Sequence, residues 1–515
     1  MKFYLQPLMN TVNAIVVCVS LSTGLAQAET PALGKAIEIG SRLELFVDRL
    51  LVDRMEGVEF RLHHPQPMPI AEVPLIGDYA TVIKDNDKKG VLYRAWYRTK
   101  DPDYTLGGHR HAGHGTGGPQ ELYRYAESRD GHEWTKPELN LFKLSKEGGV
   151  NNVIWIAAPF THNFAPFLDE RPDCPPEERF KAFAGVERSS DYYLIGARRN
   201  GATDAELERY GYSADLPGGV FAFVSPDGIR WKRVSDKPVI HVPEGKAFDS
   251  QNVAFWSEAE NQYVAYVRTW RNPHTGGDGI RNGLRTISRS TSSDFKKWSK
   301  PFAMEPNLPG EHLYTNQTHA YFRAPHIYIA TPTRFMPNRG SSTDILFMTT
   351  RAGSTSYNRL FTEAFIRPGL SSKRWGNRSN YAVRNVVPTS KTEMSIYHAK
   401  SGIRHVLRTD GFVSVQAGPE SGELLTRPLV FEGGELILNV STSAAGRLLV
   451  EVQDANGKPI PGLTLDDCTP VVGDSIEQKV SWKNAAALGA QAGRPVRLRF
   501  VMSECDLYSF RTIPN

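Results

Sequence analysis

"SPDGIRW", residues 225–231, decides the fold because it recurs: "SRDGHEW" spans 128–134 and "SSDFKKW" spans 292–298. All three share a Ser, an Asp two positions on and a Trp four beyond the Asp, and the Asp-to-Asp spacings are 97 and 67 residues. Asp-Gly between strands signals a hairpin turn, since Gly accepts positive φ and the Asp side chain bonds its own backbone. "TRAGSTSY" (350–357) is a degenerate fourth copy. Strand-like runs precede the four: "ELYRYAE", "GVFAFV", "LRTISRS" and "DILFMT".

Working back from each turn, two further runs recur. The middle ones are "GVLYRAWYR" (90–98), "RFKAFAGV" (179–186), "QYVAYVRT" (262–269) and "HIYIATPTR" (326–334). The leading ones are "DYATVIKD" (78–85), "HNFAPFLD" (162–169), "DSQNVAFW" (249–256) and "YTNQTHAYF" (314–322). A fifth set, "NYAVRNVV" (380–387), "MSIYHA" (394–399) and "IRHVLRT" (403–409), lacks the turn. Units of roughly 60 to 100 residues, each with three or four antiparallel strands, are what a β-propeller requires. The chain therefore reads as all-β, with a five-bladed β-propeller over 29–410 and "RLELFVDRLLV" (42–52) closing the ring against the last blade. A long β-sandwich with coincidental turns is the alternative.

Beyond Gly411 the pattern changes. "FVSVQAG", "ELLTRPLVF", "GELILNVST", "GRLLVEVQD" and "PVRLRFVM" are short alternating strands joined by Gly, Pro and Asp-rich turns. This predicts a C-terminal β-sandwich over 411–515.

Residues 1–28 read as a signal peptide: Lys2, an apolar stretch around Ala14 to Ser20, then Ala26-Gln27-Ala28, with cleavage before Glu29. Val17 ahead of Cys18 is too large for a lipoprotein signal, so the expectation is release to the periplasm or the extracellular space. Losing Lys2 leaves 60 basic against 56 acidic residues, too even a balance to imply nucleic acid. No run of ~20 apolar residues is present to span a membrane, and no protein partner or cofactor is implied. Of Cys174, Cys468 and Cys505, the last two are either bridged after export or both unpaired, and their spacing fits no zinc motif.

In a propeller the first strand of each blade lines the central channel, so its entering end faces a funnel. All five leading segments begin polar: Asp78 and Tyr79; His162 and Asn163; Asp249, Ser250, Gln251 and Asn252; Glu311, His312, Tyr314 and Asn316; Trp375, Asn377, Arg378 and Asn380. Polar groups delivered to one place by five blades predict a ligand pocket. Asp78, Asp249 and Glu311 are its carboxylates, and two carboxyl groups across a glycosidic bond can divide acid and base work. His162, Asn163, Gln251, Asn252, His312, Tyr314, Asn316, Trp375, Asn377 and Arg378 are the expected sugar-binding groups.

Carboxylates on the first, third and fourth blades resemble the five-bladed propeller glycosidases of glycoside hydrolase families 32 and 43, and the trailing sandwich resembles the C-terminal module of family 32. More closely, "ELFVDRLLVDRMEGVEFRLHHPQP", "FDSQNVAFW", "EHLYTN" and "LDDC" are similar to secreted bacterial proteins of planctomycete type that are described as family 32-like. The resemblance implies Asp78 as nucleophile or base, Asp249 as the residue that orients and tunes, and Glu311 as general acid. Family 32 motifs are Asn-Asp-Pro, Arg-Asp-Pro and Glu-Cys at these acids, whereas this chain has "IGDYAT", "FDSQN" and "GEHLYT".

"GGHRHAGHGTGG" (107–118) offers His109, His111 and His114 at ligand-like spacing, but its small residues describe a loop over the funnel and no metal site is assigned. The functional expectation is a secreted glycoside hydrolase acting on a plant or algal polysaccharide or oligosaccharide from its chain ends. The alternative is a non-catalytic carbohydrate-binding propeller.

Overall fold

The computed structural model describes residues 36–514, apart from 88–89, 101–120, 143, 145–150, 157–159, 188, 190, 192–193, 196–197, 199–202, 210–215, 242–246, 279–282, 377–378, 399 and 485. The signal-peptide reading, the histidine loop, Asn377 and Arg378 lie outside the described residues. The fold is all-β, with a short α-helix at Asp204–Arg209. No described helix is long and apolar enough to cross a membrane.

Most of the strand groups are antiparallel meanders. The first is Asp78–Asp87, Gly90–Lys100, Glu121–Ser128 and Val153–Trp155; the second is Ala165–Leu168, Phe180–Ala184, Phe221–Ser225 and Lys232–Arg233. The third is Val253–Ser257, Gln262–Asn272, Leu284–Ser292 and Phe302–Ala303, with Gly277–Asp278 added to its second strand. The fourth is divided into two three-stranded ladders. One holds His319–Tyr321, Ala324–Ala330 and Met348–Arg351; the other holds His312–Leu313, Thr333–Met336 and Ser342–Ile345. In the fifth, Val387–Pro388, Glu393–Tyr397 and Arg404–Arg408 are completed by Gln66–Pro67.

The leading strands touch in cyclic order. Asp78–Asp87 lies against Ala165–Leu168, which lies against Val253–Ser257, which meets His319–Tyr321, while Val387–Pro388 returns to Asp78–Asp87. Val386 N–H donates to His319 Nε2 at 3.1 Å, joining the fourth group to the fifth. Arg384 crosses the middle, donating to the Pro166 carbonyl at 2.9 Å and to the Ala254 carbonyl. Burial pulls its pKa down to about 9.

Residues 42–52 do not close the ring, which corrects the expectation above. Glu44–Leu45 pairs with Val496–Ile513 and Val52–Glu56 with Gly422–Thr426, within a ten-stranded sheet that also holds Ile37–Gly40, Val58–Leu62 and the strands of 413–513. The reason is packing: Phe46 and Leu51 are buried with Leu438, Val450, Phe500 and Phe510. Each such side chain is worth roughly 1.5–3 kcal/mol of burial, which holds this face of the run on the C-terminal core, while Leu43, Leu45 and Val47 on its other face pack with Tyr321, Ile345 and Phe412. Cys468 and Cys505 are buried there, and both are unpaired.

The repeated turns share one geometry. In the second copy, Ser225 Oγ donates to Asp227 Oδ1 at 3.0 Å, and the same oxygen accepts from Ile229 and Arg230 N–H at 2.9 and 2.8 Å. Asp130 and Asp294 repeat the pattern with the N–H groups two and three residues on. Gly131 and Gly228 have φ of 73° and 75°, and the third copy places Phe295 there at 65°. A Cβ at Gly228 would come within 2.8 Å of Trp96 Cζ2, so glycine is also required for space. Phe295 has its own niche, stacked on Phe183 at 5.4 Å.

Candidate functional site

The strands start late. Regular structure begins at Val253 and His319, so the polar residues before them offer their side chains and backbone for other bonds. Gln251 Nε2 donates to the Tyr79 carbonyl at 3.0 Å and to Thr81 Oγ1 at 3.1 Å. Its carbonyl accepts from Gln317, which also donates to the Ala382 carbonyl at 2.9 Å. Asn163 donates to the Gly185, Phe248 and Ser250 carbonyls, and Asn252 to Phe248 and Ser250. Asn316 donates to the Tyr266 carbonyl at 3.2 Å. Asn163, Gln251, Asn252 and Asn316 are all buried. Their side chains tie leading segments to their neighbours, because a buried carbonyl without a donor costs about 1–3 kcal/mol.

Glu311 is likewise a tie. Only 4 % of its side chain is exposed, Arg359 grips both carboxylate oxygens, and Leu308 N–H donates to Oε2 at 3.0 Å. Its oxygens are committed to these donors, which places Glu311 in a buried ion pair. Trp375 is 56 % exposed and its indole donates to the Gly369 carbonyl at 2.9 Å.

Asp78 and Asp249 keep part of their surface, with side chains 35 % and 20 % exposed. Asp78 accepts from Arg98 Nη2 at 3.4 Å and lies 3.6 Å from Lys400 Nζ. Asp249 pairs with Arg268. Each aspartate adjoins an aromatic residue in the left-handed region, Tyr79 at φ 43° and Phe248 at φ 66°. Bulky side chains rarely adopt this conformation, and such strain concentrates at functional sites.

Tyr79 sits between the two pairs. Its ring carries the Arg98 guanidinium at 4.5 Å and meets His162 edge-on at 5.4 Å and Tyr381 at 6.1 Å. Burial first, then the neighbouring Tyr314 and Tyr381, push its phenol pKa well up. His162 Nδ1 lies 3.0 Å from Glu121 Oε2 and 2.8 Å from Arg98 Nη1. Burial lowers the His162 pKa, with Arg98 adding to the effect and Glu121 opposing it. Glu187 also acts on His162 and on Arg268, favouring the charged form of each.

On the far side of Arg268, two guanidiniums share the same rings. Arg268 lies 5.5 Å from the Trp270 ring and 5.6 Å from Tyr314, and Arg285 lies 4.2 and 5.0 Å from them. Burial and the Arg285 charge lower the Arg268 pKa to about 10. His312 Nδ1 accepts from Arg285 N–H at 3.0 Å, and burial with both arginines brings its pKa down to about 4.

The structure thus brings Asp78, Asp249, His162, His312 and Tyr314 to one region; Glu311 adjoins it through Asn307, whose amide donates to the Arg285 and Glu311 carbonyls at 2.8 and 2.9 Å, while the Trp375 indole bonds the Gly369 carbonyl. It adds Arg98, Glu121, Glu187, Arg268, Arg285, Tyr381 and Lys400, none of which was singled out in the sequence. A usable signal existed in the pairing. In an antiparallel sheet the start of the first strand, the end of the second and the start of the third share one end. The register sets Asp78 opposite Arg98, Arg98 opposite Tyr123, and Trp270 opposite Arg285.

No protein-family model and no curated protein matches the chain. Among solved structures, an N-acetylgalactosamine deacetylase from F. plautii is similar at 11 % identity and a TM-score of 0.40, covering 87 % of this chain and 95 % of the other. A family 32 β-fructofuranosidase from Bombyx mori aligns at 8 % identity and a TM-score of 0.38, over 88 % and 94 % of the two chains. A thermostable family 43 glycoside hydrolase aligns at 12 % and 0.38, over 68 % and 96 %. Likenesses at this level assign neither site nor activity.

Proposed function

We propose that the protein is an exported glycoside hydrolase in which Asp78 and Asp249 face a sugar at the shared end of the strand groups. The observation that carries this reading is the pair of part-exposed carboxylates, each held by an arginine and each beside a left-handed aromatic residue. Five strand groups in cyclic contact support five propeller blades, and the long paired strands Glu435–Asp454 and Val496–Ile513 support a sandwich behind them.

In this reading Asp78 is the nucleophile or base, oriented by Arg98 and Lys400. Arg268 holds Asp249 beside the ring of Tyr314, where it accepts a sugar hydroxyl. Glu187, whose charge favours the protonated forms of His162 and Arg268, is the third carboxyl of this reading. Tyr79, Tyr314 and Tyr381 pack edge to face behind the two aspartates and seat the arginines that orient them. The substrate is a plant or algal polysaccharide or oligosaccharide attacked from its chain ends.

Non-catalytic carbohydrate binding is the second reading, favoured by the arginine clamp on each aspartate. Reducing-sugar release from a polysaccharide panel by purified protein separates the two. Release that is abolished by Asp78→Asn and by Glu187→Gln supports the hydrolase. Sugar binding without release, unchanged in both variants, supports the binding protein.

A further inference from the structure

The side of the cluster beyond Asp249 is rich in donors. Arg285 is held over Trp270, Tyr314 and Phe335, at 4.2, 5.0 and 5.0 Å, so its plane is set by three rings. Arg268 shares two of those rings, which places two like charges side by side. His312 accepts at Nδ1 from the Arg285 backbone, so the neutral imidazole carries its proton on Nε2, and no described residue accepts from that atom. The Trp270 indole N–H is buried and has no acceptor either. Asp249 pairs with Arg268.

Two neighbouring guanidiniums with two donors lacking acceptors describe an environment that an oxyanion satisfies. Each charge-assisted bond to an anion exceeds a neutral one, and a guanidinium whose plane is fixed loses little freedom on binding. We propose that Arg285, His312 and Trp270 form an oxyanion subsite beside Asp249 that receives the acidic group of an anionic glycan. The subsite rests on the glycan-processing reading for the source of the anion, while the anion chemistry itself stands on these donors. Carboxylate on a hexuronate and free inorganic phosphate share that chemistry, and the experiment distinguishes them.

Binding is measured by calorimetry on the full chain with D-glucuronate, D-glucose and inorganic phosphate, so that no turnover is needed. Glucuronate is expected to bind at least tenfold tighter than glucose. Arg285→Met keeps an unbranched apolar stem over the rings and removes the charge; the preference should fall to within about twofold while glucose binding is retained. Trp270→Phe keeps a ring and removes the N–H, and should weaken glucuronate binding about threefold to tenfold; it serves if Arg285→Met does not fold. Phosphate binding that is lost in Arg285→Met, without a preference for glucuronate over glucose, supports the oxyanion subsite and moves its occupant to the free ion. Equal binding of all three probes, or a glucuronate preference that survives both substitutions, overturns the proposal. Failure of hydrolysis in every variant bears on the catalytic reading and leaves this result intact.

Discussion

The Tyr79 hydroxyl donates to the Asp249 backbone carbonyl at 3.5 Å, so the residue that follows one part-exposed carboxylate is tied to the other. The same tyrosine is strained at φ 43° and offers its own carbonyl to Tyr123 and Gln251. Tyr79→Phe removes only the hydroxyl. It should leave thermal stability nearly unchanged and lower kcat about tenfold with little change in KM, because the two aspartates lose their shared reference point. An unchanged kcat would disconnect Tyr79 from the chemistry.

Glu311→Ala should cost about 3–5 kcal/mol in urea denaturation, since it leaves the Arg359 guanidinium without its carboxylate. Activity per folded molecule should stay within about threefold. If Glu311→Gln instead loses ~10²- to 10⁴-fold in rate with stability retained, the acid role returns to Glu311.

Gln251→Ala opens the amide chain between Tyr79, Thr81 and Gln317. Several buried groups lose partners at once, and the expected loss is roughly 2–4 kcal/mol. The check is a shift in the denaturant midpoint at unchanged m-value; a shift below 0.5 kcal/mol would show that the ring closes without it.

Phe295→Gly tests two opposed effects in the third turn. Glycine relieves a left-handed residue, worth about 1–2 kcal/mol, but deletes a buried ring that contacts Phe167, Phe183 and Tyr263. Removing such a ring costs about 3–5 kcal/mol. Net destabilisation is expected by calorimetric melting, although "DG" stands in the sister turns.

Glu44 gives a pH dependence. Burial pushes its carboxyl up, but His326, Arg351 and Arg42 outweigh burial and hold the pKa at about 2, below the ordinary 4.5. A depressed folded pKa contributes stability above pH 4.5 and loses it as pH falls through 2. Wild type should therefore exceed Glu44→Gln by roughly 3 kcal/mol near pH 7, and the gap should narrow between pH 4.5 and 2. A constant gap across that window would count against an ionic origin.

Strand periodicity and turn chemistry are local, and both are legible in the chain. The runs at 78–85, 90–98 and 262–269 all lie within observed strands, and the Ser-x-Asp turns form through bonds spanning three residues or fewer. The cluster of carboxylates and amides at 249–252 and 311–316 was visible as polarity alone. Whether such a residue faces a ligand or a neighbouring carbonyl depends on partners 65 to 172 positions away in the chain, as with Gln251 to Tyr79 and Gln317 to Ala382. Tertiary structure decided that, and it also took residues 42–52 to the C-terminal sheet, because burial of Phe46 and Leu51 is settled by which distant apolar surface is open to them. Strands and turns follow from the sequence, since their bonds close within a few residues; the surroundings of each acid follow from the fold, since Arg359 reaches Glu311 across 48 residues and Arg98 reaches Asp78 across 20.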